Sequence, residues 1–125
     1  VKKQKSIAKL KKELDRVFSA YIRKRDSKDG YFTCISSGRT LPVSKMHAGH
    51  FYARTFTATR WDERNVNGQS AQDNVFLSGN LLNYRKGIIA KYGEKVLEEL
   101  EALHNQPVKL DRHELEEMIT KYKNL

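Results

Sequence analysis

Between residue 6 and about residue 26 apolar side chains recur at three- and four-residue steps, as Ile7, Leu10, Leu14, Val17, Phe18, Tyr21 and Ile22. This spacing predicts a helix with one buried face. Lys9, Lys11, Lys12, Arg16, Arg23 and Lys24 fill its other faces. The period then changes. After the turn signal Asp29-Gly30, the β-branched and aromatic run Tyr31-Phe32-Thr33-Cys34-Ile35 and the later Thr40-Leu41-Pro42-Val43 predict a short β-hairpin. Residues 45 to 53 read as a second extended piece, and residues 54 to 72, rich in Thr, Arg and Asn, as an irregular loop. Loops of that length in a small domain usually carry function.

Helical spacing returns at Asp73. Leu81, Leu82, Tyr84, Ile88, Ile89 and Tyr92 form a stripe that Gly93 ends. A further helix over 94 to 104 presents Val96, Leu97, Leu100 and Leu103 before Gln106-Pro107 breaks it. Asp111-Arg112-His113-Glu114 has the form of a capping box and opens a last helix through Leu115, Met118, Ile119 and Tyr122. The expected fold is α+β, one domain over residues 1–125, with a basic helix in 1–28, a central mixed segment over 30–92 and a helical region over 94–125.

Charge sharpens this picture. The 125 residues hold 24 Lys and Arg against 15 Asp and Glu, a net +9. The excess is confined to one half: residues 1 to 60 carry 15 basic and 4 acidic side chains, residues 61 to 125 carry 9 and 11. Such an N-terminal basic surface attracts polyanions, of which nucleic acid is the commonest in a cytoplasm. No apolar run approaches the roughly 20 residues that span a bilayer, and the basic start leads into an amphipathic segment rather than a secretory signal. The single cysteine, Cys34, excludes an internal disulfide and a Cys-rich zinc cage.

Hydrolysis of a phosphodiester needs a base for water, a divalent cation against the developing charge and cations that hold the backbone. The middle of the chain offers these. His50 ends an extended piece, Asn65 ends the polar loop Asp62-Glu63-Arg64-Asn65, and Asn74 leads into a helix. Their spacings of 15 and 9 follow the order of an HNH, or ββα-metal, nuclease finger, which is the expected fold of the central segment over 30–92. Arg54, Arg60, Arg64 and Arg85 are candidate phosphate contacts, with Lys9, Lys12 and Arg16 on the basic helix beside them; surface salt bridges are the alternative. Trp61 and Phe56 are either base-stacking or core aromatics, and His104 and His113 read as structural.

The strings Met46-His47-Ala48-Gly49-His50-Phe51, Trp61-Asp62-Glu63-Arg64-Asn65-Val66 and Asn74-Val75-Phe76-Leu77-Ser78-Gly79-Asn80, followed by Tyr84-Arg85 and Lys91-Tyr92-Gly93, closely resemble the phage NinG (Rap) recombination endonuclease family. The resemblance runs from about residue 10 to 103. It implies a metal-dependent endodeoxyribonuclease that cleaves branched intermediates such as Holliday junctions and D-loops, in a phage or prophage protein of the bacterial cytoplasm. It also implies His50 as the base, Asn74 as a ligand of Mg²⁺ or Mn²⁺, and Asn65 as the residue that positions loop and base. Many HNH fingers place an Asp before the base; Gly49 stands there, which leaves His47, Asp73 or water as the second ligand. The family's two Cys-x-x-Cys pairs read Cys34-Ile35-Ser36-Ser37 and Ser70-Ala71-Gln72-Asp73 here, so no structural zinc is expected, with hydrogen bonds or packing holding the two turns. Two symmetric nicks at a four-way junction call for a homodimer, with the acidic, apolar C-terminal helices as its expected contact, and recombination proteins are further candidate partners. The rival readings are a non-catalytic DNA-binding module and a sequence-specific HNH nuclease.

Overall fold

The computed structural model describes residues 4–125, and the basic residues Lys2 and Lys3 lie outside them. In chain order the elements are α1 (Ile7–Arg25), β1 (Ser27–Lys28), β2 (Tyr31–Thr33), β3 (Thr40–Pro42), β4 (Met46–His50) and α2 (Thr57–Arg60). β5 (Val66–Ser70), α3 (Leu81–Tyr92), α4 (Glu94–His104) and α5 (Arg112–Lys123) complete the mixed α+β architecture. None of the described helices is long and apolar enough to cross a membrane.

Two helix pairs carry most of the core. Ser6 caps α1, its Oγ accepting the Lys9 amide at 3.2 Å. Leu10, Leu14, Val17, Phe18 and Ile22 of α1 pack against Leu115, Ile119 and Tyr122 of α5, with Trp61 and Val66 closing the cluster. Each such side chain contributes about 1.5–3 kcal/mol by leaving water. Asp111 caps α5 through the Glu114 amide at 2.8 Å. Leu97 and Leu100 of α4 cover Tyr84 and Ile88 of α3. The apolar stripes of α4 and α5 are therefore used inside the chain, and the faces they turn outward are polar.

The strands make two small antiparallel sheets, β1-β2-β3 and β4-β5. The expected hairpin is β2-β3, with Phe32 opposite Leu41, and β1 extends it. β4 pairs with β5 from Met46 opposite Ser70 to His50 opposite Val66. α3 crosses closely over the turn between β2 and β3: a Cβ at Gly87 would stand 1.9 Å from the Ile35 carbonyl oxygen.

Two segments depart from the sequence expectation. Residues 54 to 72 are not one irregular loop, because they contain α2 and β5. All five residues of β5 are buried, yet Asn67, Gln69 and Ser70 are polar, so no apolar alternation marks the strand. Hydrogen bonds replace that signal. Asn67 donates to the Arg64 carbonyl and accepts from the Tyr92 hydroxyl at 2.7 Å and the Lys91 ammonium at 2.9 Å. Gln69 donates to Ser36 Oγ and the Gly79 carbonyl. The second departure begins at Asp73. A π-turn over Gln72–Phe76 is followed by left-handed backbone at Ser78, Gly79 and Asn80, and α3 starts only at Leu81. Leu81 and Leu82, expected in the buried stripe, are 50% and 72% exposed.

Candidate active site

A cleft of about 480 Å³ opens between α1 and β4 and is lined by Asp15, Ser19, Arg23, His47, His50, Arg54 and Asn74, among others. Three candidates separated by 27 residues of sequence, His47, His50 and Asn74, therefore share one wall system. β4 delivers the two histidines, and the π-turn after β5 delivers Asn74.

His50 is the last residue of β4. Its Nε2 lies 2.9 Å from the Arg60 carbonyl oxygen; a carbonyl can only accept, so Nε2 carries the proton and Nδ1 holds the free lone pair. Burial pushes the imidazole below its ordinary pKa of 6.5, and the nearby Arg54 pushes the same way, against the opposing pull of the Arg60 carbonyl. The neutral ring is a base with a fixed tautomer. Its anchor is itself held, because the Arg60 guanidinium forks onto Asp15 at 3.1 and 2.6 Å and the Trp61 indole donates to the same carboxylate at 3.0 Å.

Asn65 does not reach the cleft. Fully buried, its side chain accepts the Tyr52 amide at 2.9 Å and donates to the Tyr52 and Thr59 carbonyls at 3.1 and 3.0 Å. Its backbone carbonyl also accepts the Phe51 amide. These bonds clamp the chain on both sides of α2 directly after His50. Tyr84 adds a second tie: fully buried, it donates to the Gly49 carbonyl at 2.6 Å.

Asn74 lies on the π-turn, not on an α-helix as its expected role as a helix-borne ligand required. Its Nδ2 is 3.0 Å from His47 Nδ1. With the amide so oriented, His47 accepts and Oδ1 of Asn74 is left as a hard oxygen donor, so His47 braces Asn74 rather than offering its own lone pair. The other proposed ligand, Asp73, is turned away. Its carboxylate, held below the usual range by hydrogen bonds from Ser70, Asn80 and Cys34 against the opposing effect of burial, does not line the cleft. Position 49 offers no alternative, since a Cβ there would stand 2.1 Å from Gln69 Oε1. The turns at Cys34 and Asp73 are joined by hydrogen bonds: Cys34 Sγ to Asp73 at 3.2 Å, the Ser70 amide to Cys34 Sγ at 3.3 Å and the Ser70 hydroxyl to Asp73.

Among the described residues, no group of three or more His, Cys, Asp or Glu is placed to hold a metal ion. A closed cage is thus not what these residues build. A single amide oxygen fits only a small divalent ion that keeps most of its waters and is completed by substrate phosphate.

The arginines divide. Arg54 lines the cleft with its side chain 65% exposed and only a 3.9 Å approach to Asp15, and Arg85 is exposed on α3. Arg60 is held by Asp15, and Arg64 by Asp62 and Glu99, so these two are structural ion pairs rather than free phosphate contacts. Trp61 is buried, its indole bonded to Asp15. Phe56 packs edge-on against Tyr52 and His104, and His104 stacks on Tyr52 at 4.0 Å; His113 pairs with Glu117. Sequence reasoning missed Asp15, Ser19 and Arg23. A signal existed: at about 100° per residue, Lys9, Lys12, Arg16, Ser19 and Arg23 fall within roughly 80° of one another, a stripe that leads along α1 into the cleft.

Comparison with known proteins adds the family. The chain matches, over residues 1–125, the family described as Bacteriophage Lambda NinG protein. Its relatives include the protein ninG of Enterobacteria phage H19B, 39% identical over 98 residues, and those of Escherichia phage lambda and Salmonella phage P22, each 37% identical over 98 residues. These matches cover 76% of this chain and 45–46% of each relative, so the chain spans about half the length of the curated relatives it matches. No solved structure matches it. By the match along its whole length and by the identity to these phage proteins, the chain belongs to the NinG family.

Proposed function

We propose that the chain is a divalent-metal-dependent endodeoxyribonuclease of the HNH, or ββα-metal, type, acting on branched DNA. The observation that carries this reading is His50: a neutral imidazole, proton fixed on Nε2 by Arg60, Nδ1 free, in a cationic cleft shared with the amide of Asn74. The order β4, clamped loop, β5, turn and α3 fits the two strands and helix of such a finger. Branched DNA as the substrate rests on the resemblance of the His50, Asn65 and Asn74 strings to recombination endonucleases.

In this mechanism Arg54 and Arg23 hold the phosphate, and Nδ1 of His50 takes a proton from the water that attacks phosphorus. Asn74 Oδ1 would hold Mg²⁺ or Mn²⁺, which when bound offsets charge on the scissile phosphate and the leaving oxygen. Asn65 and Asp15 act at one remove, through the loop and through the Arg60 carbonyl. Paired nicks at a four-way junction require two copies, whose contact must use a surface other than the buried stripes of α4 and α5.

The test incubates labelled four-way junction and matched linear duplex with Mg²⁺, Mn²⁺ or chelator, using wild type and His50→Ala. Metal-dependent junction cleavage that falls at least about a hundredfold in the variant supports the assignment. Salt-sensitive binding without cleavage in either metal would make the chain a DNA-binding module. Cutting of linear duplex at fixed sites would make it a sequence-specific nuclease.

A further inference from the structure

Directly after Asn74 the chain turns five large apolar side chains to solvent: Val75 and Phe76 on the π-turn, Leu77 just after it, and Leu81 and Leu82 at the start of α3. Phe76 is 81% exposed. Clustered apolar side chains in the open mark a surface that meets something, and the local backbone keeps these out of the core. Ser78, Gly79 and Asn80 in succession are left-handed, a conformation costly for two of the three. The turn is nonetheless braced from within: Asn80 donates to Asp73 at 2.8 Å, the Gly79 amide bonds the Asp73 carbonyl, and Gln69 holds the Gly79 carbonyl.

The surrounding charge identifies the partner's chemistry. From residue 74 to residue 93 there is no Asp or Glu, while Arg85 and Lys86 lie in the same stretch. Arg85 and Lys86 are exposed one turn from Leu81 and Leu82. An apolar tip flanked by cations, its one acid Asp73 buried beneath it, matches a polyanion that also exposes flat apolar faces: nucleic acid whose bases are unstacked. The tip also adjoins the cleft, since Phe76 is two residues from Asn74 and their Cα atoms are at most about 7.6 Å apart along the chain.

We infer that Phe76, supported by Val75, Leu77 and Leu82, is a wedge that enters the base stack at the branch point of DNA and fixes the scissile phosphate over His50. The inference rests on the branched-DNA reading above and deepens it by naming the element that distinguishes a branch from a continuous duplex. Apolar side chains that enter base steps favour sites where stacking is already broken, and one base stacked on an aromatic ring changes affinity by about tenfold or more. The wedge thus lowers the free energy of the branched complex selectively, while the α1 stripe and Arg54 serve any duplex.

The experiment is done in His50→Ala protein, so that binding is read without cutting, on a four-way junction with thymines at the branch and on a matched linear duplex. The wedge predicts that bound protein makes branch thymines reactive to permanganate, that Phe76→Ala abolishes this and weakens junction binding about tenfold, and that duplex binding changes less than about threefold. Phe76→Trp restores both signals. Unchanged junction affinity and permanganate reactivity in Phe76→Ala overturn the wedge, and if wild type still cleaves junctions the nuclease reading stands without it. A fall in the solution mass of the free protein on Phe76→Ala overturns it too, by giving the patch to a second copy. Failure of the His50→Ala protein to bind any DNA overturns both. Because Phe76 is solvent-exposed, equal thermal stability of the Phe76 variants is the expected control.

Discussion

The tautomer and burial of His50 set how its chemistry depends on pH. Only the neutral ring accepts a proton, and burial with Arg54 nearby depresses its pKa below 6.5. Cleavage is therefore expected to rise with pH along an acid limb whose midpoint lies below pH 6.5, in single-turnover rates on the junction across pH 5 to 8. Replacing Arg54 by Gln removes one of the depressing charges and moves that limb to higher pH. Stability follows the same sign: the folded state disfavours the imidazolium, so the His50 contribution is complete above the unfolded pKa and is lost as pH falls through the folded one. Asn65 acts on a different quantity. Asn65→Ala strips the buried Tyr52 amide and the Tyr52 and Thr59 carbonyls of partners, and should destabilise by about 2–4 kcal/mol, measured as a shift of the urea midpoint. A loss under about 0.5 kcal/mol, the range of an ordinary surface substitution, would show that the clamp is dispensable.

At the scale of elements, the position of α3 depends on the absence of a side chain. Gly87→Ala gains helix propensity of about 1 kcal/mol, but the new methyl would meet the Ile35 carbonyl oxygen at 1.9 Å, and backbone cannot turn aside as a flexible side chain does. Overpacking of this kind costs about 1–3 kcal/mol, so the variant should melt at lower temperature than wild type despite the better helix former. α1 and α5 were legible in the sequence because their partners are apolar and periodic, Leu10 to Ile22 facing Leu115 to Tyr122. β5 was not, because Asn67 and Gln69 are buried by hydrogen bonds to residues far away in sequence, such as Tyr92 and Ser36, and such partners leave no local pattern. The π-turn escaped for a related reason. Val75, Phe76 and Leu77 look like core to any periodicity rule, and only the left-handed backbone at 78 to 80 turns them outward. The candidate site was half legible: His50 and Asn74 by order and spacing, Asp15 and Arg23 only once α1 is laid beside β4.

The whole molecule is polarised, with its basic excess in residues 1 to 60 and acidic side chains such as Glu98, Glu101, Glu116 and Glu117 exposed on α4 and α5. DNA is thus expected along α1, and each phosphate contact there releases counterions. The double variant Lys12→Glu/Arg16→Glu should weaken binding to every DNA shape alike and reduce the slope of log affinity against log salt by about two, as read by fluorescence anisotropy. A loss confined to junctions would place those two side chains elsewhere. The pairing of α1 with α5 also orders events in time. α1 is synthesised before α5, and the cover that Trp61 and Val66 give Leu10, Leu14 and Phe18 stays incomplete until Leu115, Ile119 and Tyr122 have emerged. That closure spans about a hundred residues, a slow, entropically costly step for so small a chain. One wall of the cleft is α1 itself, so the cleft takes shape only once α5 has folded back over α1.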